Sequence, residues 1–167
     1  MAPKLIFNIQ LLLGYVAWLL CYSAYIGPRL RAMATADAHR AIATLHSFRF
    51  FGLVFVMPGV VGTLPAGFAA PAAWGDLATG VLALLALMTF NSRPLFRLFV
   101  IGFNTIGVID LVLDYYNAVQ LDLPSIAGNL GAAYAIPIIY VPILMITHLA
   151  AFGLLLGRSS AKVATAA

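Results

Sequence analysis

Charge is what this sequence has least of. Of its 167 residues only 8% are charged and 63% are hydrophobic, whereas a soluble domain carries about 25% charged residues. So few charges cannot cover a water-facing surface, and an ordinary soluble domain is excluded. The mean hydropathy of +1.03 agrees. Cysteine occurs once, as Cys21 in an apolar run, so no intrachain disulfide can form and the redox compartment cannot be read from it. There is no P-loop, no G-x-S-x-G, no dinucleotide fingerprint and no C-x-x-C, so chemistry borrowed from those motifs is not available. No internal repeat is visible, which removes sequence support for an inverted-repeat transporter. Short alternating strands are missing too, which argues against a transmembrane barrel.

What the sequence does have is long apolar runs. A bilayer crossing takes roughly 20 apolar residues, and a helix satisfies its own backbone in lipid. The pattern predicts an all-α, polytopic membrane bundle: one integral membrane domain over 1–167 with five transmembrane helices at about 5–26, 36–61, 76–90, 95–117 and 130–156. Lys4 before the first run could open a signal peptide, but the run is too long and no small-residue cleavage site follows, so it reads as an uncleaved helix. Gly27-Pro28 is expected to stop it. Thr35-Ala36-Asp37 is expected to start the second helix, and a Gly/Pro/Ala-rich connection, 62–75, to precede a third helix beginning at Asp76. Pro137 and Pro142 interrupt the fifth run and free the carbonyls of Ala133 and Ile138. A kink facing a cavity is the functional meaning, and a packing kink is the commoner one. The tail, 157–167, is small and polar and is expected to fray.

The net charge of +4 does not point to nucleic acid, because the basic residues sit in short loops. Arg29, Arg31 and Arg40 lie between runs one and two, Arg93 and Arg97 between three and four, and Arg158 and Lys162 after five. The connections after runs two and four carry no Lys or Arg. Five crossings put every basic segment on one side, which the positive-inside tendency makes cytoplasmic. The N-terminus is then outside and the C-terminus in the cytoplasm, with Lys4 alone on the wrong side. Compactness and composition suggest a bacterial inner membrane.

Ionisable groups inside a bilayer are costly and usually face the bundle interior. Gly107, Asp110, Asp114 and Asn117 share one face of the fourth run, with Asn104 at its edge. Two carboxylates four residues apart repel if both are charged, so the sharp reading is a cation or amine site, or a proton-handling pair. The bland reading is a polar stripe that satisfies itself. Depth alone would place Asn8, Gln10, Asn129 and Tyr134 near that outer carboxylate group. A second group, nearer the cytoplasm, holds His39, His46 and Arg49 of the second helix with Thr147 and His148 of the fifth. Arg49 suits an anionic group, although snorkelling to the interface is the commoner fate. His46 and His148 are the only route to a haem, and no motif supports one. No metal site is expected. Gly75, Thr79 and Ala83 form a small-x-x-x-small ladder suited to close helix contact.

Arg49-x-x-Gly52-Leu53-Val54-Phe55, Pro58-Gly59 and Asp76-Leu77-Ala78-Thr79-Gly80 before an alanine/leucine run resemble the small DoxX-type membrane proteins. The resemblance covers about a quarter of the chain and implies a four-helix bundle, against the five runs read here. It carries no site and no activity across. The leading functional expectation is a protein that binds or helps to transport a small molecule in an interhelical polar pocket, with Asp110, Asp114, Asn104, His148, Arg49 and His46 as its ligand-binding candidates. The alternatives are an accessory or assembly subunit of a larger membrane complex, and a membrane-embedded enzyme acting on a lipid-like substrate through His46, Arg49 and His148. The binding reading requires a cavity at Asp110, the accessory reading a filled bundle, and the enzyme reading an inner opening beside His148. Expected partners are the lipid bilayer, a small ligand, and a homo-oligomer or larger complex.

Overall fold

A computed structural model describes residues 2–164, with side chains through 157, and its regular elements are all helical. Helix α1 is the continuous rod Pro3–Ala32. Helix α2, Thr35–His46, continues directly into a 3-10 segment, Ser47–Val56. Helices α3, Ala66–Met88, and α4, Arg93–Gln120, follow. Irregular 3-10 turns, Leu123–Tyr134, and a wide π-turn, Ile136–Tyr140, lead into α5, Val141–Ala164. Helix α3 packs most closely against α4 and the 3-10 segment. The tail expected to fray from 157 continues α5 as helix to Ala164; the side chains of Arg158 and Lys162, and residues 165–167, lie outside the described residues.

Four helices are long and apolar enough to cross a membrane: Pro3–Ala32, Ala66–Met88, Arg93–Gln120 and Ile136–Gly157. The expected span at 36–61 is not among them. Its first half carries Asp37, His39, Arg40 and His46, and its second half is a tighter 3-10 coil.

Three boundaries differ from expectation for identifiable reasons. Gly27-Pro28 does not stop the first helix. The wide turn at Tyr22–Ile26 absorbs the register change, Gly27 N–H still bonds the carbonyl of Tyr22, and Pro28 enters at the start of the next helical turns, where a missing N–H costs little. The third helix begins ten residues early, at Ala66 rather than Asp76, with Pro71 inside it. Alanines at 69, 70, 72 and 73 favour helix enough to absorb that proline. The proline break of the fifth run serves packing: the carbonyl of Ile138 faces Gly14 so closely that a Cβ there would collide with it, and Trp18 Nε1–H donates to the carbonyl of Ile139 at 2.8 Å.

The buried apolar residues form two clusters. One holds Phe7, Phe55, Phe68, Ala72, Leu123 and Leu130. The other holds Ile42, Ala83, Ala86, Val100, Phe103 and Ala151. Along the α2 rod with its 3-10 extension, α3 and α5, His46, Arg49, Asp76, Thr79, Thr147 and His148 fall between the positions that feed these two clusters. A polar layer thus divides the core. The outside is apolar as well: Leu12, Leu20, Met88, Val119 and Leu149 are all exposed, the pattern of a surface that meets something other than water.

Candidate functional site

The layer is built around Arg49. In a 3-10 helix residues three apart lie above one another, and His46, Arg49, Gly52 and Phe55 are all buried at that spacing, while Phe48, Phe50, Phe51 and Val56 are exposed. The 3-10 coil therefore keeps one narrow stripe pointed inward, with Arg49 in it. Stretches this long in 3-10 form are uncommon and often mark functional segments.

Arg49 is 0% exposed, so it does not snorkel. Its Nε–H donates to Asp76 Oδ1 at 2.6 Å and its Nη2–H to Asp110 Oδ2 at 2.5 Å. Nη1 donates to the carbonyl of Gly107 at 3.3 Å and to His148 Nε2 at 3.4 Å. An arginine only donates, so Nε2 of His148 is the bare nitrogen and Nδ1 carries the proton. That agrees with Nδ1 lying 2.9 Å from Asn104 Oδ1, whose own amide donates to the carbonyl of Val100. His46 packs on His148 with ring centroids 4.0 Å apart. Its Nε2 lies 3.0 Å from Thr147 Oγ1. Thr147 spends its hydroxyl proton on backbone carbonyls, so His46 Nε2–H is the donor, and His46 Nδ1 has no hydrogen-bond partner among the described residues.

Room for these groups is made by missing side chains. A Cβ on Gly75 would overlap the Asp110 carboxylate, and one on Gly52 would overlap Asp76. Helix α3 can approach the arginine and its second carboxylate only because both positions are glycine.

Expected as two groups at different depths, Asp110, Asn104, Arg49, His46 and His148 form one connected network. The reach of the arginine side chain closes the gap that depth along each helix implied. Asp76 was not expected there. The sequence marks it only as the start of the third helix; ten residues inside α3 it is 5% exposed and buried against Arg49. Asp114 stands at the edge of the network, half-buried and with no hydrogen bond or ion pair among the described residues. Of the outer polar residues, Asn8 joins Asp114 on a cavity, whereas Gln10 pairs with Tyr134 and Asn129 with the carbonyl of Thr63.

That cavity, about 110 Å³, is lined by Asp76 and Asp114 on one side and by Phe7, Phe55, Phe68 and Tyr115 among its apolar walls. Asp110 does not line it; the carboxylates that do are its neighbours. A haem between His46 and His148 does not fit this arrangement. The two rings touch, leaving no space for a porphyrin, and His148 Nε2 faces the arginine. No group of three or more metal-ligating side chains occurs among the described residues.

A family model described as Domain of unknown function (DUF8737) matches residues 6–156. The chain belongs to that family. The DUF8737 match spans every residue of the polar layer. No curated protein and no solved structure matches the chain.

Proposed function

We propose that this DUF8737 protein binds a small organic cation, or a molecule that becomes one, in the interhelical cavity at Asp76 and Asp114, and that this binding serves transport or sensing at a membrane. One observation carries the reading. Two carboxylates, Asp76 and Asp110, hold a single guanidinium, and a third, Asp114, lines the same cavity as Asp76 with no ion pair among the described residues. Arg49 balances one negative charge, and because net charge buried away from water is expensive, the remainder is balanced by protons or by a bound cation. The cavity is where such a cation can enter. Its phenyl and phenol rings suit an ammonium group, which is attracted to aromatic faces. Its size suits a small amine; pockets for drug-sized ligands run to about 300–1,000 Å³.

The proposal includes a topology. The α2 rod and its 3-10 extension contain 12 and 10 residues, which correspond to about 18 Å and about 20 Å of length. Together they exceed the roughly 30 Å of a hydrocarbon core. His46, Ser47 and Arg49, in its middle, are buried, while Asp37 and Arg40, near its start, are exposed, so it serves as the fifth crossing despite its low hydropathy. Lys4, the one basic residue on the wrong side, is paired with Asp122 at 2.7 Å; the outside N-terminus and cytoplasmic C-terminus in a bacterial inner membrane rest on the positions of the other basic residues.

The enzyme reading loses support, since the inner cavity at His39 and Val100 is not lined by His148. The accessory-subunit reading keeps one observation in its favour: α1 leaves almost all of its apolar length uncovered, a face that a larger complex could bury.

Thermal stability of the purified protein against a panel of small primary and quaternary amines separates the two. The cation reading expects stabilisation by at least one amine, abolished in Asp114→Asn while that variant remains folded. Stabilisation unchanged in Asp114→Asn, or no response to any amine, would sink it and favour the accessory role.

A further inference from the structure

A larger cavity lies away from the carboxylates. It lies at the opposite end of the bundle, has a volume of about 760 Å³, and is lined at its polar end by Thr35, His39, Asn91, Arg93 and Arg97. No Asp faces it among the described residues. Arg93 and Arg97 are exposed, and neither has a hydrogen bond or an ion pair among the described residues. A third arginine stands beside it: Arg40 stacks over the ring of Phe90, itself a lining residue, at 4.5 Å. Two helices also begin here. Helix α2 starts at Thr35 and α4 at Arg93, and the residue before each, Ala34 or Ser92, offers no side-chain cap. The positive dipole ends of both helices face the same way as the arginines, with Pro94 removing one N–H from the start of α4 and Asp37 lying in the first turn of α2. The opposite wall is apolar, with Phe96, Val100, Leu154 and Leu155.

We propose that this cavity binds the phosphate group of an anionic phosphate ester, with Arg93 and Arg97 as the contact residues and the apolar wall taking an attached hydrocarbon chain. Guanidinium forks match phosphate oxygens in pairs. A purely topological role for these arginines would need neither a cavity nor two converging helix starts. The arrangement is amphiphilic in the sense a phospholipid is, with charge at the rim and hydrocarbon along the wall. The inner leaflet of a bacterial membrane, on the side rich in arginine, is where such headgroups are found. The same chemistry also fits free phosphate.

The test compares both sources. The purified protein in neutral detergent is melted with phosphatidylglycerol, with phosphatidylcholine, or with inorganic phosphate. It is repeated for R93Q/R97Q and for R29Q/R31Q, which removes the same charge from exposed positions outside the cavity. At about 100 times its Kd a native-state ligand raises Tm by about 5–10 °C in a chain of this size. The expected result is such a rise with phosphatidylglycerol, absent with phosphatidylcholine, lost in R93Q/R97Q and kept in R29Q/R31Q. An equal rise with inorganic phosphate would support the site and assign it to the free anion. Equal loss in both double variants, a full response in R93Q/R97Q, or no response at all would overturn it. Should R93Q/R97Q fail to fold, native mass spectrometry of the wild type decides: a retained phosphatidylglycerol adduct in preference to phosphatidylcholine supports the site, and equal retention overturns it.

Discussion

Two ion pairs in this molecule look alike by distance and differ in everything else. Lys4 and Asp122 meet at 2.7 Å on the surface, each about 55% exposed. Arg49 meets Asp76 at 2.6 Å and Asp110 at 2.5 Å with the guanidinium fully buried. Water competes for the first pair and would solvate either partner left alone. Nothing but the partners themselves satisfies the second, so each member depends on the others being present. Burial, not separation, decides which pair the fold depends on and which merely balances a loop.

The largest effect should come from Arg49→Met, which leaves two buried carboxylates without their counter-charge. Removing one partner of a buried pair costs about 3–5 kcal/mol, so thermal unfolding in detergent should drop by about 10 °C. Adding Asp76→Asn and Asp110→Asn to that variant should restore much of the loss. An Arg49→Met protein as stable as wild type would erase the contrast between the pairs.

Next is Gly75→Ala. The new methyl group would overlap the Asp110 carboxylate, and overpacking of this kind costs about 1–3 kcal/mol. Gly128→Ala, where a Cβ meets nothing within 4 Å, is the matched control and should melt close to wild type. A similar penalty of about 1–3 kcal/mol, at the lower end, is expected for Asn104→Leu, because it strands the Nδ1–H of His148 in the interior. Chemical denaturation compared with Asn104→Asp, which keeps an acceptor oxygen, would show whether the missing acceptor or the changed shape is responsible.

The smallest effect belongs to the surface pair. Hydrogen bonds from Lys4 and Ser125 hold the Asp122 carboxyl below the usual aspartate value. A carboxyl depressed in the folded state stabilises fully above its unfolded value, about 3.9, and loses that contribution as pH falls through its folded value. Lys4→Gln should therefore melt slightly below wild type near neutral pH. The two curves should converge below pH about 3.9, and the neutral-pH difference should shrink in high salt. A large Lys4→Gln effect insensitive to salt would mean that the surface pair is less solvated than its exposure implies.

The sequence shows the class of fold because so little charge leaves few options, and it shows one face of α4 because the spacing of Asn104, Gly107 and Asp110 survives in a regular helix. It does not show Asp76. Glycine and proline at 62–75 mimic a loop, and only the alanines between them reveal that a helix has already begun. The meeting of Arg49 with Asp110 was hidden for another reason: depth along a helix locates a Cα, whereas a long side chain acts a turn away. The 3-10 coil from Ser47 to Val56 is only faintly marked in the sequence. Positions 46, 49, 52 and 55 are buried every three residues, yet they are His, Arg, Gly and Phe, and only the His46-Arg49 spacing stands out among the apolar neighbours.

The central claim is that the carboxylate cluster is short of positive charge and that the cavity at Asp114 accepts it. Binding of an amine and of its uncharged carbon isostere, measured by calorimetry on wild type and Asp114→Asn, addresses that claim most directly. The account predicts that wild type prefers the amine by at least about tenfold, equivalent to about 1.4 kcal/mol, and that Asp114→Asn narrows the preference while still binding the isostere. Equal affinity of wild type for the charged and uncharged forms would contradict it.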